Sequence, residues 1–402
     1  MMKDELSRFL DFIAQQHLFS PGEKVLLAVS GGRDSVCMAH LFHRAGISFA
    51  IAHCNFHLRP GDCNRDETFV RQLADRYGVP CHVAHFDTRS VAASTGESIE
   101  EAARRLRYEY FAQLLSHSAT QPLHYSVVAT AHHRDDSIET FFLNLFRGTG
   151  ISGLHGIRPS SSLTIHHSSL KVVRPMLCFS RADIDAYIDE NHLDYVEDST
   201  NGELDARRNQ IRHRLMPLLR ELYPSIDNTM AANIERLHNT ELIYKEYIES
   251  LRSQLITPYR NSEFRIPNSE LDILSLDLPQ LRNQFPIYNF QFSISFEILR
   301  PYNFNAATVG DILAATENGK LFYSPTHMAE LHHGKLLIAP RVEPAPGRHP
   351  QPGDRIHPKK GRGTRLLSDY LKDLGFSRIE RQHLLVCLDA DGFVIDDFRY
   401  NP

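Results

Sequence analysis

The first 150 residues alternate between short apolar runs and longer segments with helical periodicity. The run at 25–29 has no polar break, as expected for a strand buried on both faces. Further apolar runs occur at 46–58, 79–87 and 124–133. Each of the four runs is followed by a helix-like pattern, and these patterns lie at 36–42, 65–78, 98–118 and 135–148. This alternation predicts an α/β fold, in which a parallel sheet carries helices on both faces.

The pattern changes after about residue 215. A helix is predicted at 237–255, whereas 257–345 mixes short strands, prolines and polar stretches. A Pro/Gly-rich linker follows, and the tail at 365–398 indicates one helix and then strands. We therefore predict a helical or mixed middle region and a small α+β C-terminal domain, with domains at 1–215, 216–343 and 352–402.

Composition is that of an ordinary water-exposed protein, with 42% hydrophobic and 23% charged residues in a chain of 402. No apolar run approaches membrane-spanning length, and the first 16 residues have the pattern of an amphipathic helix and not of a signal peptide. The cytoplasm is the expected compartment. The six cysteines are scattered and form no Cys-x-x-Cys pair, so the sequence indicates neither a disulfide framework nor a zinc site.

A glycine-containing turn joins the first strand to the first helix. Because this turn lies at the carboxyl edge of the predicted sheet, the free N–H groups of the helix start favour an anion such as a phosphate chain. The turn lacks the Gly-Lys-Ser/Thr ending of a P-loop, so ordinary γ-phosphoryl transfer is not indicated. Asp34 could hold Mg²⁺. The alternative is a tight turn capped by a polar side chain. The candidate residues are Ser30, Gly31, Gly32, Arg33, Asp34 and Ser35.

A second group of polar residues follows the fourth predicted strand. His132, Asp135, Asp136 and Glu139 lie at the strand end and in the first turns of the next helix. Acids at this edge could bind a metal ion, hold an ammonium group or accept its proton. The alternative is that Asp135 and Asp136 only complement the helix dipole.

Two basic segments could contact nucleic acid although the formal net charge is −5. The segment 207–214 contains no acid, and a solvated basic helix is the alternative explanation for it. The segment 351–381 contains eight Lys or Arg residues and four Asp or Glu residues. Glycines there would let basic side chains approach a phosphate backbone, although a solubilising loop would have the same charge pattern. The candidates are Arg207, Arg208, Asn209, Arg212, Lys359, Lys360, Arg362 and Arg365.

In this order, these segments resemble the tRNA(Ile)-lysidine synthetases, a branch of the N-type ATP pyrophosphatases of the PP-loop superfamily. Residues 30–35 match the Ser-Gly-Gly-x-Asp-Ser signature and 131–140 match the His-x-x-Asp-Asp segment, and similar matches occur at 53–70, 98–111, 173–177 and 198–219. The resemblance is strong over 20–220 and looser over 319–338 and 353–381. Ser137 stands where the family usually has glutamine, and the last twenty residues lack the usual proline.

The resemblance implies an adenine nucleotide α-hydrolase-like fold and a ligase that forms a carbon–nitrogen bond. ATP would adenylate the first anticodon cytidine of a tRNA(Ile) with a CAU anticodon, and free L-lysine would then displace AMP at C2. The resemblance implies ATP contacts from 30–35, with Asp34 on Mg²⁺, and a catalytic group of Asp34, Arg107, His132, Asp136 and Glu139. It implies lysine or tRNA contacts from Asp135, Asp136, Glu139, Arg174, Asn201, Arg207, Arg208, Asn209, Arg212, Lys359, Lys360, Arg362 and Arg365.

Two other functions stay open from the sequence. A sulfur-inserting tRNA enzyme of the same superfamily would use the same adenylation, although many such enzymes carry paired cysteines. A catalytically silent RNA-binding protein is the other alternative, and the acids at 34, 136 and 139 argue against it. No membrane partner is expected, and the sequence leaves a homodimer open.

Overall fold

A computed structural model describes residues 4–58, 62–118, 125–165, 168–196, 206–259, 273–341, 350–357, 363–384, 386, 388 and 392–394. The chain divides into two compact units, Met1–Glu241 and Leu242–Pro402. The three predicted domains are not tested by this division and stay a prediction.

The first unit contains a six-stranded sheet in the order β3-β2-β1-β4-β6-β5. Strands β1 to β4 and β6 are parallel, and β5 pairs with β6 in the antiparallel direction. This confirms the predicted parallel sheet. The strands are β1 (Lys24–Ala28), β2 (Phe49–Asn55), β3 (Cys81–His85), β4 (Tyr125–Ala129), β5 (Ser160–Ile165) and β6 (Ser168–Val173).

Helices cover both faces of this sheet, as the alternating pattern predicts. One face packs on α1, α2, α3 and α7 through a core that includes Phe9, Phe42 and Ile51, and the other packs on α5 through Tyr108 and Phe111. Ser98 and Glu101 form the predicted capping contacts before α5. The helices are α1 (Glu5–Gln15), α2 (Arg33–Arg44), α3 (Asp62–Tyr77), α4 (Thr88–Thr95), α5 (Ile99–Ser118), α6 (Arg134–Arg147) and α7 (Arg181–Glu190).

Helical segments that follow α7 pack against α6. Ile211 and Met216 join Ile138 and Leu143 of α6 in one buried cluster, which also includes Ile234. The segment Ile211–Leu215 is π-helical, a conformation that is common at functional sites. It lies between α8 (Ala206–Gln210) and α9 (Met216–Leu222), and α10 (Ile226–Leu255) follows. The helix predicted at 237–255 thus begins eleven residues earlier.

The second unit contains a five-stranded sheet in the order β7-β8-β11-β10-β9, in which all described pairs are antiparallel. Its strands are β7 (Ile256–Pro258), β8 (Leu274–Asp277), β9 (Leu321–Tyr323), β10 (His327–His332) and β11 (Lys335–Pro340). Helices α11 (Leu278–Gln284), α12 (Tyr288–Leu299) and α13 (Ala306–Ala314) pack on it through Leu276, Ile298 and Ile312. This arrangement gives a definite form to the mixed middle region.

In its described part, the C-terminal segment contains two short helices, α14 (Leu367–Asp373) and α15 (Arg378–His383), and one short strand pair, β12 (Arg355–Ile356) and β13 (Arg365–Leu366). The predicted single helix is therefore two helices in the structure. Of the strands predicted after it, the structure describes Leu388 and Val394, which form an isolated antiparallel bridge, and most of the remaining positions lie outside the described residues. Gly375, at φ +80°, interrupts the helical pattern between α14 and α15, and both strands precede α14. Among the helices that the structure describes, none combines the length and apolarity needed to cross a bilayer.

Candidate functional site

The turn after β1 is organised by hydrogen bonds between its two serines and the backbone. The Ser35 hydroxyl lies 3.3 Å from that of Ser30 and donates to the Gly32 carbonyl at 2.8 Å. The Ser30 hydroxyl in turn accepts from the Gly32 N–H at 3.3 Å. Gly31 has φ +95°, a left-handed conformation that glycine adopts without a steric cost. The turn therefore presents backbone N–H groups at the N-terminus of α2, which is a suitable cradle for phosphates.

The topology places the acidic segment beside this turn. Strand β1 pairs with β2 on one side and with β4 on the other, so the strand order reverses between β1 and β4. Open α/β sheets bind ligands at such a switch point, outside the carboxyl ends of the strands. The turn at 30–35 follows β1 and the residues 130–136 follow β4, so the two predicted groups share one edge.

His133, a residue that sequence reasoning passed over, lies among three carboxylates. Its Nε2 lies 3.5 Å from Asp136 Oδ2 and 4.0 Å from Asp34 Oδ2, and its Nδ1 lies 3.8 Å from Asp135 Oδ2. The side chain is 4% exposed, and no described residue offers its Nδ1 a hydrogen-bond partner. The sequence offered two adjacent histidines after β4 and no means to decide which of them faces the acids.

Each acid of the site is paired with an arginine from a later part of the chain. Arg181 Nη1 lies 3.0 Å from Asp34 Oδ1, and Arg220 Nη2 lies 2.9 Å from Asp135 Oδ1. No site role was predicted for Arg181 or Arg220, because ion pairs between residues so far apart in sequence leave no local pattern.

Arg212 forms the most extensive of these pairs. Its Nε and Nη2 donate to the two Glu139 oxygens at 2.6 and 2.8 Å, and Nη2 also lies 3.3 Å from Asp136 Oδ1. Arg208 adds a contact of 3.8 Å to Glu139. The acidic and basic segments predicted separately are thus in direct contact.

Asp136 and Glu139 have pKa values that move in opposite directions. Burial raises the pKa of Glu139, and the hydrogen bond from Arg212 only partly offsets this. Burial also acts to raise the pKa of Asp136, but the His133 imidazole, the hydrogen bond from the His133 N–H and the Arg212 guanidinium together outweigh it, so its pKa is lowered. Burial raises the pKa of Asp34 as well, against the influence of His133 and Arg181. Two neighbouring carboxyls therefore differ in proton affinity, which is the arrangement that separates acid and base roles.

A cavity of about 280 Å³ opens over these groups. It is lined by His133, Asp135, Glu139, Arg181, Arg212, His213, Met216 and Arg220. All of its lining residues except Met216 carry charged or polar groups, so it suits a small polar or ionic ligand.

His132 and Arg174, both predicted site residues, are held by neighbouring polar groups. His132 Nδ1 lies 3.0 Å from the Thr130 hydroxyl, and burial lowers the pKa of His132 to about 4, so its ring is neutral at pH 7. Arg174 is 8% exposed, and its Nη1 donates to the Arg158 carbonyl at 3.0 Å and to the Ser161 hydroxyl at 3.1 Å.

The contacts described for Arg33 and Arg107 are with residues other than the acids of the site. The Arg107 guanidinium lies over the Phe56 ring, 5.2 Å from its centroid. Arg33 donates to Tyr195 and pairs with Asp185 of α7, so it fixes the turn against that helix. In sequence alone, Arg107 shares a helix with Arg104 and Arg105, and nothing there indicates which guanidinium faces which strand end.

The remaining predicted residues lie apart or outside the described residues. Arg207 is exposed on α8, and Asn209 is partly buried there. Arg365 pairs with Asp373 at the surface of the second unit. Asn201, Lys359, Lys360 and Arg362 lie outside the described residues.

Ser137 supports the loop behind α6. Its hydroxyl accepts a hydrogen bond from the Ile157 N–H at 2.9 Å, and the side chain is buried. Gly156, at φ +62°, approaches so closely that a Cβ there would lie 2.3 Å from the Ser137 hydroxyl. The departure at Ser137 is therefore accommodated by the glycine-rich loop and leaves the acids of α6 in place.

His155, His238 and Glu241 form a second cluster, in which possible ligand atoms lie within 4.8 Å of one another. Arg158 donates to Glu241 at 2.7 Å and to His155 Nε2 at 3.1 Å. The guanidinium thus already supplies the positive charge that the buried carboxylate requires. We interpret this cluster as a structural link between α10 and the loop behind α6.

The carboxylates of the main site are suitable ligands for Mg²⁺. Oxygen donors are those that Mg²⁺ prefers, and Asp34 and Asp136 lie on the same side of His133. The His133 Nδ1, for which the described part of the chain supplies no hydrogen-bond partner, further indicates that the polar groups of this site are completed by a ligand.

Comparison with known proteins agrees with this geometry. A family model described as a PP-loop domain matches residues 2–219, so the chain contains the ATP-binding domain of that class. A model described as the TilS substrate binding domain matches residues 275–341. The tRNA(Ile)-lysidine synthase of Bacteroides thetaiotaomicron is 34% identical, over 97% of this chain and 94% of that protein. The chain belongs to the tRNA(Ile)-lysidine synthase family.

Two other similarities extend the comparison. The tRNA(Ile)-lysidine synthase of Parabacteroides distasonis is also 34% identical, with 95% of this chain and 92% of that protein covered. Among solved structures, the U34-tRNA thiolase NcsA from Methanococcus maripaludis, with its [4Fe-4S] cluster, is 15% identical. The superposition covers 57% of this chain and 77% of the NcsA chain, with a TM-score of 0.44.

Proposed function

We propose that this chain ligates free L-lysine to C2 of the first anticodon cytidine of a tRNA(Ile) with a CAU anticodon. In the first step, the cytidine O2 attacks the α-phosphate of ATP, and pyrophosphate leaves. In the second step, the lysine ε-ammonium gives up a proton, the resulting amine attacks C2, and the C2–O2 bond breaks, so that AMP leaves with the former cytidine O2. The single observation that carries this proposal is the placement of the 30–35 turn and the α6 acids at one sheet edge.

The turn at 30–35 suits cleavage between the α and β phosphates. Its N–H groups and the Ser30 and Ser35 hydroxyls can hold the leaving pyrophosphate, and no lysine is present to grip a γ-phosphate. Asp34 and Asp136 would hold Mg²⁺, which when bound neutralises charge on the departing phosphates. Arg181, already in contact with Asp34, can turn toward the same phosphates.

The second step needs a group that binds an ammonium and accepts its proton. Asp136, with its lowered pKa, remains ionised and suits the binding of the ammonium. Glu139, with its raised pKa, is the better proton acceptor at neutral pH. We infer these roles from the two environments, and Arg212 positions Glu139 for the transfer.

Family membership implies a tRNA substrate, and the finer partners are part of this proposal. Arg207, Arg208 and Asn209 would contact the anticodon region, and the basic residues at 359–365 would contact the body of the tRNA. The enzyme would act in the cytoplasm, where ATP, lysine and tRNA are present. A homodimer is compatible with this reaction but is not required by it.

The sulfur-inserting alternative is disfavoured by the state of the described cysteines. Burial raises the pKa of Cys54 and of Cys178 to about 12, so both thiols stay protonated at neutral pH. A persulfide carrier needs an accessible thiolate, and neither residue provides one.

Product analysis tests the first step. Wild-type protein, ATP and tRNA should give AMP and pyrophosphate, and Asp34→Asn should reduce this by at least a hundredfold while tRNA binding persists. Asp75→Asn, at an exposed residue of α3, is the matched control. Formation of ADP and phosphate in a tRNA-dependent manner would refute the proposal.

A further inference from the structure

An open apolar cavity of about 690 Å³ lies beside the charged site, on the same unit. Leu143 and Phe146 of α6 form one wall, and Ile211, Leu215 and Leu218 form the other. Phe146 is 66% exposed and Leu218 is 51% exposed. Large apolar side chains grouped at the surface in this way often mark a binding site.

The cavity continues the catalytic stripe of α6. Asp136, Glu139, Leu143 and Phe146 are spaced by three, four and three residues, so they lie along one face of the helix. At 1.5 Å per residue, the distance from Asp136 to Phe146 along the axis is about 15 Å. A strand of RNA whose reacting base reaches the acids would therefore extend past the cavity within a few nucleotides.

The segment 206–218 has two roles along this face. Arg208 and Arg212 turn toward Glu139, whereas Arg207 and Arg214 line the apolar cavity. Arg147 reaches the cavity from the end of α6. Within the described residues, no carboxylate is paired with Arg147 or Arg214, and both are exposed. Two guanidinium groups at the rim of an apolar cavity are complementary to a base that carries a phosphate.

The Phe146 ring is held in a defined position. It stacks on Phe142, with ring centroids 5.9 Å apart and an interplanar angle of 29°. Phe142 in turn contacts Phe141, whose ring centroid lies 5.4 Å away. A positioned aromatic ring with one free face is the usual platform for an unpaired nucleobase.

We propose that this cavity is a nucleobase subsite, which holds an unpaired anticodon-loop nucleotide next to the modified cytidine. The base stacks on Phe146, Leu143 and Leu218 close over its edges, and Arg147 and Arg214 pair with the flanking phosphates. The inference rests on the proposed function, because it takes the strand that reaches the acids to be the anticodon loop of a tRNA. It accounts for the exposure of Phe146, which the chemistry at Asp136 and Glu139 does not require.

A double-mutant cycle tests the stacking contact. Full-length tRNA(Ile) is prepared intact and with one abasic position at each site of the anticodon loop other than the cytidine. Phe146→Ala should weaken binding of intact tRNA about tenfold, as expected for loss of one stacked base. With the abasic site at the stacked position, Phe146→Ala should have no further effect. Leu145→Ala, at a neighbouring residue that is 45% exposed and outside the cavity, is the matched control and should leave binding unchanged.

The phosphate contacts have their own readout. Arg214→Ala should flatten the slope of log affinity against log salt by about 0.7, the value for one phosphate of a single strand. Arg76→Ala, on the exposed end of α3, should leave this slope unchanged. An unchanged slope for Arg214→Ala would remove the phosphate part of the inference.

Two results would overturn the stacking contact. Phe146→Ala could weaken every abasic tRNA by the same factor as intact tRNA, which would mean that no loop base contacts the ring. Alternatively, Phe146→Ala could change the sedimentation of the protein and show no coupling to any base, which would assign the cavity to contact between copies of the chain.

The experiments distinguish failure of the proposed function from failure of the proposed subsite. If wild-type protein transfers lysine to tRNA but no coupling is found, only the subsite is wrong. If coupling is found but lysine is not transferred, the cavity is an RNA site and the proposed reaction is wrong. ATP binding and thermal unfolding of each variant establish that the fold is intact.

Discussion

At the scale of single residues, the site depends on how burial and neighbouring charges set the state of each group. Asp136 and Glu139 are one helical turn apart, yet their pKa values shift in opposite directions. Burial dominates at Glu139, whereas the His133 imidazole, the His133 N–H and Arg212 outweigh burial at Asp136. The sequence identified both acids from their spacing. It could not distinguish their roles, because the histidines, the arginines and the depth of burial come together only in the folded chain.

Gly156 gives a direct test of the packing behind α6. Alanine there requires an unfavourable left-handed backbone and places a Cβ 2.8 Å from the Ser137 carbonyl oxygen. We expect Gly156→Ala to lower the free energy of unfolding by about 2 to 4 kcal/mol. Gly150→Ala, where an added Cβ meets no atom within 4 Å, should change it by less than about 0.5 kcal/mol. Denaturant titration measures both, and equal effects would contradict the close approach.

The lowered pKa of His132 leads us to expect that stability depends on pH. Its pKa is lowered from 6.5 to about 4 in the folded state, so between these values the unfolded chain binds a proton that the folded chain does not. Stability should therefore fall as the pH falls through this window, by at most about 1.4 kcal/mol per pH unit from this group. His132→Gln should flatten the fall, whereas His43→Gln, at an exposed histidine of α2, should not. Urea unfolding at a series of pH values measures the slope, and identical slopes for the two variants would refute this role.

At the scale of elements, the segment 206–222 supplies the arginines that compensate the acids of α6. Arg212→Gln leaves the buried Glu139 carboxylate without its main partner, so the free energy of unfolding should fall by about 2 kcal/mol or more. Adding Glu139→Gln removes the buried charge, and we expect it to restore most of the stability but none of the activity. Thermal unfolding and lysine transfer of the single and double variants measure this. A double variant less stable than Arg212→Gln alone would contradict the pairing.

The same scale shows where sequence patterns were sufficient. Strands β1 to β4 and helix α5 are confirmed as predicted, because their apolar periodicity and the capping box at Ser98 are local signals. The hairpin of β5 and β6 was not predicted, since Ser160–Ile165 has mostly polar side chains and obtains its strand form from pairing with β6. The π-helical turn before α9 also has no sequence signature.

At the scale of the whole molecule, the C-terminal segment is integral to the second unit. The Ile379 N–H donates to the buried Glu330 carboxylate at 3.0 Å, and Ile379 packs with Met328 and Leu337 of the sheet. A truncation after Pro340 would remove these contacts as well as the basic residues. Truncation is therefore a poor test of tRNA binding by this segment.

Charge substitution avoids that difficulty. Replacing Lys359, Lys360, Arg362 and Arg365 together by alanine should weaken tRNA binding and flatten its salt dependence, while ATP binding is unchanged. Replacement of Arg236 on α10, an arginine distant in sequence from this cluster, is the control. Equal affinity of variant and wild type across a salt series would exclude a tRNA role for these four residues and leave recognition to the first unit.

Transfer of labelled lysine tests the central claim most directly. Purified protein is incubated with ATP, Mg²⁺, lysine labelled in its side chain and an unmodified tRNA(Ile) transcript with a CAU anticodon, and the digested tRNA is analysed. We expect the label on the first anticodon cytidine, with one AMP and one pyrophosphate formed per lysine. A transcript whose cytidine is replaced by uridine should remain unlabelled. Consumption of ATP without label in the tRNA, or release of ADP in place of AMP, would contradict the account.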